Sequence, residues 1–177
     1  VAMLWLADAL EAIRDFMTLG GPVLRAIAVT IFVMWVLIVE RIIFFRSSMK
    51  HMSREIHDKW ESRPERQSWN AKQIRELMIS RFSEAANRGI NVIQTLVALC
   101  PLLGLLGTVT GMISVFQVMA VSGSGNVRAM AAGVSQATVP TMAGMVGALS
   151  GVLLITLLSR RASHEVEFLE DSLTMDH

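Results

Sequence analysis

The stretch Ser135–Gly151, SQATVPTMAGMVGALSG, decides how the chain is read. It lies within a run from Ala129 to Ser159 that holds no charged residue. Such a run is long enough for a helix to cross a hydrocarbon core of about 30 Å. Yet Ser135, Gln136, Thr138 and Thr141 follow one another closely, with Gly144, Gly147 and Gly151 after them. Lipid satisfies neither hydroxyls nor amides, so a membrane helix carries them where it packs on other helices or lines a polar path. The expectation is a membrane helix that builds an assembly around something polar.

The charge pattern extends this outward. The chain is 53% hydrophobic and 18% charged over 177 residues, and the charges fall in blocks between charge-free runs. That segregation marks an integral membrane protein with soluble parts, all-α in class. A net charge of +1 without a basic aromatic motif gives no reason to expect nucleic acid. Cys100, the single cysteine, excludes an intrachain disulfide, offers no metal-ligand spacing and is read as a packing residue. No cofactor is expected. Asp8 and Glu11 interrupt the first apolar run, so a cleavable signal is not expected there.

Residues 1–21 hold a short amphipathic helix, with Leu4, Leu6, Leu10, Ile13 and Met17 on one side and Asp8, Glu11 and Asp15 opposite. It is too short to span and is read as lying along the membrane or packing as an ordinary helix. Gly20-Gly21-Pro22 ends it. Residues 22–45 form the first membrane span, with Glu40 read as an interfacial charge beside Arg41 rather than a proton-relay acid. Residues 46–96 are cytoplasmic, helical and basic at first, broken by Pro64. The stripe Ile74, Leu77, Met78, Phe82 continues into Val92, Ile93 and Leu96. One helix over 71–121, roughly 75 Å long at 1.5 Å per residue, is therefore expected, part of it outside the bilayer. Residues 97–121 are the second span, 122–127 a periplasmic turn, and 128–159 the third span. Residues 160–177 form a cytoplasmic helical extension whose Val166, Leu169 and Leu173 suit packing beside the extension of the second span. Lys and Arg concentrate in 46–90 and at Arg160-Arg161, which places loop and C-terminus in the cytoplasm and the N-terminus outside.

On the second span Pro101, Gly104, Thr108, Gly111 and Val115 share a face; on the third, Ala137, Thr141, Met145 and Ala148 do. Thr108 and Thr141 would sit at similar depth in an antiparallel hairpin. Two readings stay open. Either these faces wall a pore, or the hydroxyls bond back to their own helices while the glycines serve close packing. Gly107-xxx-Gly111 and Gly147-xxx-Gly151 permit close approach and name no partner. Pro140 frees a backbone carbonyl close to Gln136. Met112, Met119, Met142 and Met145 are read as filling gaps between small residues rather than handling copper. All four histidines fall in soluble parts and no phosphate-binding loop is present, so an enzyme is not expected. The second and third spans hold no carboxylate, so a proton conductor of this kind must borrow one from a partner helix.

The segments CPLLGLLGTVTGM (Cys100–Met112) and AAGVSQATVPTMAGMVGALSG (Ala131–Gly151) resemble the ExbB/TolQ/MotA family of proton-channel proteins, ExbB most of all. The resemblance implies a ring-shaped homopentamer in the inner membrane of Gram-negative bacteria, with the second and third spans lining a central pore. It implies single-pass ExbD-like helices in that pore, contributing a membrane aspartate, and proton flow that energises a TonB-like protein for iron-siderophore uptake. It places the family's two pore threonines on Thr108 and Thr141; Gln136 and Thr138 are the further residues expected on the polar pathway. Gly104, Gly107, Gly111, Gly144, Gly147 and Gly151 are the expected helix-packing positions. At Gln136 the family usually has a glutamate; a neutral amide cannot titrate, so a proton-carrying role there is lost. On this reading a deprotonated partner aspartate is attracted to the polar wall, and protonation relaxes it. TolQ-like envelope maintenance and a non-conducting scaffold are the alternatives.

Overall fold

The computed structural model describes residues 2–122 and 127–173. The predicted 122–127 turn falls on residues 123–126, outside the described residues, as do the side chains of Leu4, Leu6 and Leu10. Five helices follow in order: α1 (Ala2–Leu19), α2 (Gly21–Glu61), α3 (Trp69–Asn87), α4 (Ile90–Ser122) and α5 (Val127–Ser172). No strand occurs among the described residues. α2, α4 and α5 each contain a stretch long and apolar enough to cross a membrane.

The breaks follow from local chemistry. At the α1–α2 junction Gly21 takes φ 65°, a conformation glycine adopts without a side-chain clash. Pro22 then sits in the first turn of α2, where its missing N–H costs no hydrogen bond. α2 stops at Glu61, short of Pro64. Ser68 caps α3, its hydroxyl accepting from the Ala71 N–H at 3.2 Å. The expected unbroken helix over 71–121 is instead two helices parted at Arg88-Gly89, where Gly89 has φ 81°. The reason is a long-range contact. A methyl group on Gly89 would come within 3.0 Å of Arg41 Nε, so the turn exists where the chain accommodates that side chain.

The chain divides into two compact units, Val1–Met34 with Thr95–Gly151, and Trp35–Gln94 with Val152–His177. The core of the first holds Leu24, Ile27 and Met34 from α2, Val97, Cys100 and Val115 from α4, and Ala137 and Ala148 from α5. The second buries Ile38, Phe45, Met49 and Trp60 of α2, Phe82 and Ala86 of α3, Ile90 and Ile93 of α4, Ile155, Leu158 and Leu169 of α5, and Leu173 just beyond it. There Arg75 of α3 donates from Nε to the Leu173 carbonyl and from Nη2 to the Glu170 carbonyl, both at 2.7 Å. It thereby satisfies carbonyls that the end of α5 leaves open. The C-terminal extension thus packs on α3, the helix leading toward the second span.

Away from this buried stripe, Val29, Phe32, Val36 and Ile43 of α2 are more than half exposed. A soluble monomer rarely exposes so continuous an apolar surface, whereas lipid satisfies it. The chain is an all-α membrane protein.

Candidate functional site

The site is built from glycines. Gly104, Gly107 and Gly111 turn one face of α4 toward α5 and are all buried. A methyl on Gly104 would lie 3.0 Å from Thr141 Cα, one on Gly107 would overlap the Pro140 ring, and one on Gly111 would overlap the Ala137 backbone. From the other side, a methyl on Gly144 would meet the Cys100 carbonyl. The two backbones are therefore in direct contact, as small residues allow. Gly147 and Gly151 serve a different neighbour. Methyls there would collide with Ile31 and with Met34 and Val97.

At this distance Thr141 reaches across, its hydroxyl donating to the Gly104 carbonyl at 2.9 Å. Thr108 bonds back to the Leu105 carbonyl at 2.6 Å, and Thr138 to the Val134 and Ser135 carbonyls at 3.2 and 3.3 Å. The sequence left pore wall and back-bonding as alternatives, and the geometry shows back-bonding beside an open groove. The glycines pack, two threonines back-bond, one bridges, and all three line the same surface.

That surface is an open groove of about 650 Å³ bounded by Thr108, Thr138, Thr141, Met142, Met145, Val146 and Leu149. On α5 these residues recur at helical spacing on one side. Gln136 is not among them. It sits beside the α1–α2 junction, its Nε2 3.0 Å from where a methyl on Gly21 would lie. Met142 and Met145 do not fill gaps in packing, as the sequence suggested, but stand more than half exposed along the groove. The physical reason is that backbone contact between α4 and α5 leaves no gap between them to fill.

The groove lining carries no titratable side chain. Every hydroxyl in it spends its proton on a backbone carbonyl, so toward the groove each offers oxygen lone pairs and no donor. Glu40 is exposed and Arg41 is buried, 5% accessible, over the Phe44 ring at 4.9 Å. Arg41 Nε has no hydrogen-bond partner. Sequence reading gave Arg41 no role beyond that of a neighbour to Glu40, because burial of one charge within a helix leaves no periodic signal.

Residues 40–171 match the MotA/TolQ/ExbB proton channel family. The chain belongs to this family. The match takes in all of α3 and α4 and nearly all of α5, hence the whole groove. A curated protein of Synechocystis sp., named as an ExbB-like biopolymer transport protein, is 37% identical over 84 residues. That stretch covers 46% of this chain and 33% of the relative, so the chain matches about a third of that protein's length. No solved structure matches the chain.

Proposed function

We propose that the chain is the ExbB-like subunit of an inner-membrane proton-channel motor. It would assemble as a homopentameric ring around single-pass ExbD-like helices and energise a TonB-like protein for transport across the outer membrane, iron-siderophore uptake being the expected case. It acts as a conductor's wall, not as an enzyme. The N-terminus lies in the periplasm and the C-terminus in the cytoplasm. The observation that supports the reading is the groove, an open, largely apolar surface with three hydroxyls and no acid or base of its own.

The hydroxyl geometry refines how the wall works. A partner aspartate in its protonated form carries an O–H and finds acceptors in Thr108, Thr138 and Thr141. The ionised form finds only acceptors and an apolar surface, which disfavours a charge. The wall therefore favours the protonated acid, and loss of the proton drives the partner helix to move away from it. This reverses the attraction expected from the sequence. Each proton descending the membrane potential supplies about 2.3 kcal/mol per 100 mV for that movement.

Replacing Thr141 with Val tests the reading. Energised uptake should be lost while the ring still assembles, and Thr141→Ser should restore it. Uptake retained in the valine variant overturns the role. Native mass spectrometry of the gently extracted complex should show a ring of chains holding a small single-pass protein.

A further inference from the structure

Where α3 gives way to α4, in the second unit, lies a cation with no ion pair among the described residues. Arg41 is buried, its Nε has no hydrogen-bond partner among the described residues, and its guanidinium stands over the Phe44 ring. A ring face does not replace a counter-ion for a buried charge. Gly89 covers this guanidinium, since a methyl there would stand 3.0 Å from Nε and 3.1 Å from Nη2. Gly89 also immediately precedes α4, whose first N–H groups lack intrahelical partners. Flanking the same turn is an open polar groove of about 650 Å³ lined by Arg81, Glu84, Ala85, Asn87, Arg88 and Asn91. Among the described residues the ion pairs are Lys59–Glu55 and His57–Glu61, so neither Arg81 nor Arg88 is committed to Glu84.

We propose that this turn binds a phosphate group, with the headgroup of an acidic membrane lipid as the expected source. Arg81 and Arg88 supply charge-assisted donors, and the α4 N-terminus and Arg41, behind Gly89, add positive potential to the same turn. Asn87 already donates its amide to Ser83 and serves as lining. The position fits a headgroup. Arg88 is the last charge before the charge-free stretch of 89–127, so the groove sits where the chain passes from water into the bilayer. Proton conduction is not needed for this site, so it stands or falls separately from the motor reading.

The test uses the full chain in mild detergent doped with phosphatidylglycerol or with phosphatidylcholine, whose choline cancels the charge. Bound lipid is counted by native mass spectrometry, with excess inorganic phosphate as competitor. Phosphatidylglycerol should bind about tenfold tighter than phosphatidylcholine. The preference should vanish in the Arg81→Gln/Arg88→Gln variant, whose exposed substitutions leave helicity by circular dichroism unchanged. Arg41→Met should weaken the preference without removing it; if that variant does not fold, the exposed pair decides. Full displacement by inorganic phosphate would keep the phosphate chemistry and name a soluble source. No preference for phosphatidylglycerol together with no competition by phosphate, or a preference that persists in the double variant, overturns the proposal.

Discussion

Gly104 and Gly89 each admit a polar side chain from another helix, and the two outcomes differ. At Gly104 the missing side chain lets Thr141 approach to 2.9 Å of a carbonyl, and the hydroxyl is satisfied. At Gly89 the missing side chain admits the Arg41 guanidinium, and its Nε stays unpartnered. The first contact closes a pair of helices on themselves, whereas the second leaves a buried guanidinium nitrogen without a partner among the described residues. A polar group in a membrane helix is thus structural or functional according to whether its partner lies in the same chain.

The largest expected effect breaks the first of these contacts. In Gly111→Val, atoms would be forced onto the Ala137 backbone, which unlike a flexible side chain cannot yield. Overpacking against a fixed neighbour costs about 3 kcal/mol or more, so the folded chain should be largely lost from membranes, read as yield after extraction. Gly133→Ala sharpens the point. Its added methyl overlaps chiefly one Val115 methyl, which a small χ1 or helix shift relieves at less cost than moving a backbone, so the thermal midpoint should fall less than in Gly111→Ala. Equal losses would mean that side-chain and backbone contacts are interchangeable here.

Next in size is Gly89→Ala, which attacks the second contact. An alanine at φ 81° carries a penalty of about 1–2 kcal/mol before its methyl crowds Arg41. The thermal midpoint should drop by a few degrees, and Gly89→Asn, better tolerated at positive φ, should drop less. If both variants match the parent, the turn is not held by glycine, and α3 and α4 can join into the unbroken helix that the hydrophobic stripe suggested.

That stripe shows what was legible in the sequence. Charge-free runs placed the apolar helices, Pro64 the gap after α2, and Gly20-Gly21-Pro22 the first junction, because each acts through its nearest neighbours. Thr108 and Thr141 were each picked out by spacing along their own helix and by similar depth in a hairpin, whereas it is the approach of α4 to α5 that brings them to one groove with Thr138. The break at Gly89 was not legible, because residues 48 positions apart in sequence decide it, and the apolar spacing runs through it undisturbed. Gln136 misled for a related reason. It was grouped with Thr138, but two steps along a helix turn a side chain by about 200°, and it lies beside Gly21 instead. Nor could spacing say which way the threonine hydroxyls point, and on that the preference for a protonated partner acid rests.

A smaller effect separates stability from function at the groove. Thr141→Val keeps the shape and removes one interhelical hydrogen bond, whose net worth is about 0.5–1.5 kcal/mol. The midpoint should fall by only a degree or a few, while transport is lost altogether. A midpoint drop as large as that of Gly111→Ala would instead assign the loss of transport to misfolding.

The smallest effect lies far from both glycines. Lys59 donates to Glu55 at 2.6 Å on the surface of α2, and this bond, then the ammonium charge, holds the Glu55 carboxyl below its ordinary range. With the folded value lowered, any stability the pair contributes is present above the unfolded value and fades as pH falls through the folded one. Both groups face water, where pairing and hydration nearly balance. Lys59→Gln should therefore leave the thermal midpoint unchanged at neutral pH and leave its fall on acidification parallel to that of the parent. A clear divergence between the two acid profiles would mean that the pair is covered in the assembled protein, which would place this stretch of α2 in a contact between subunits.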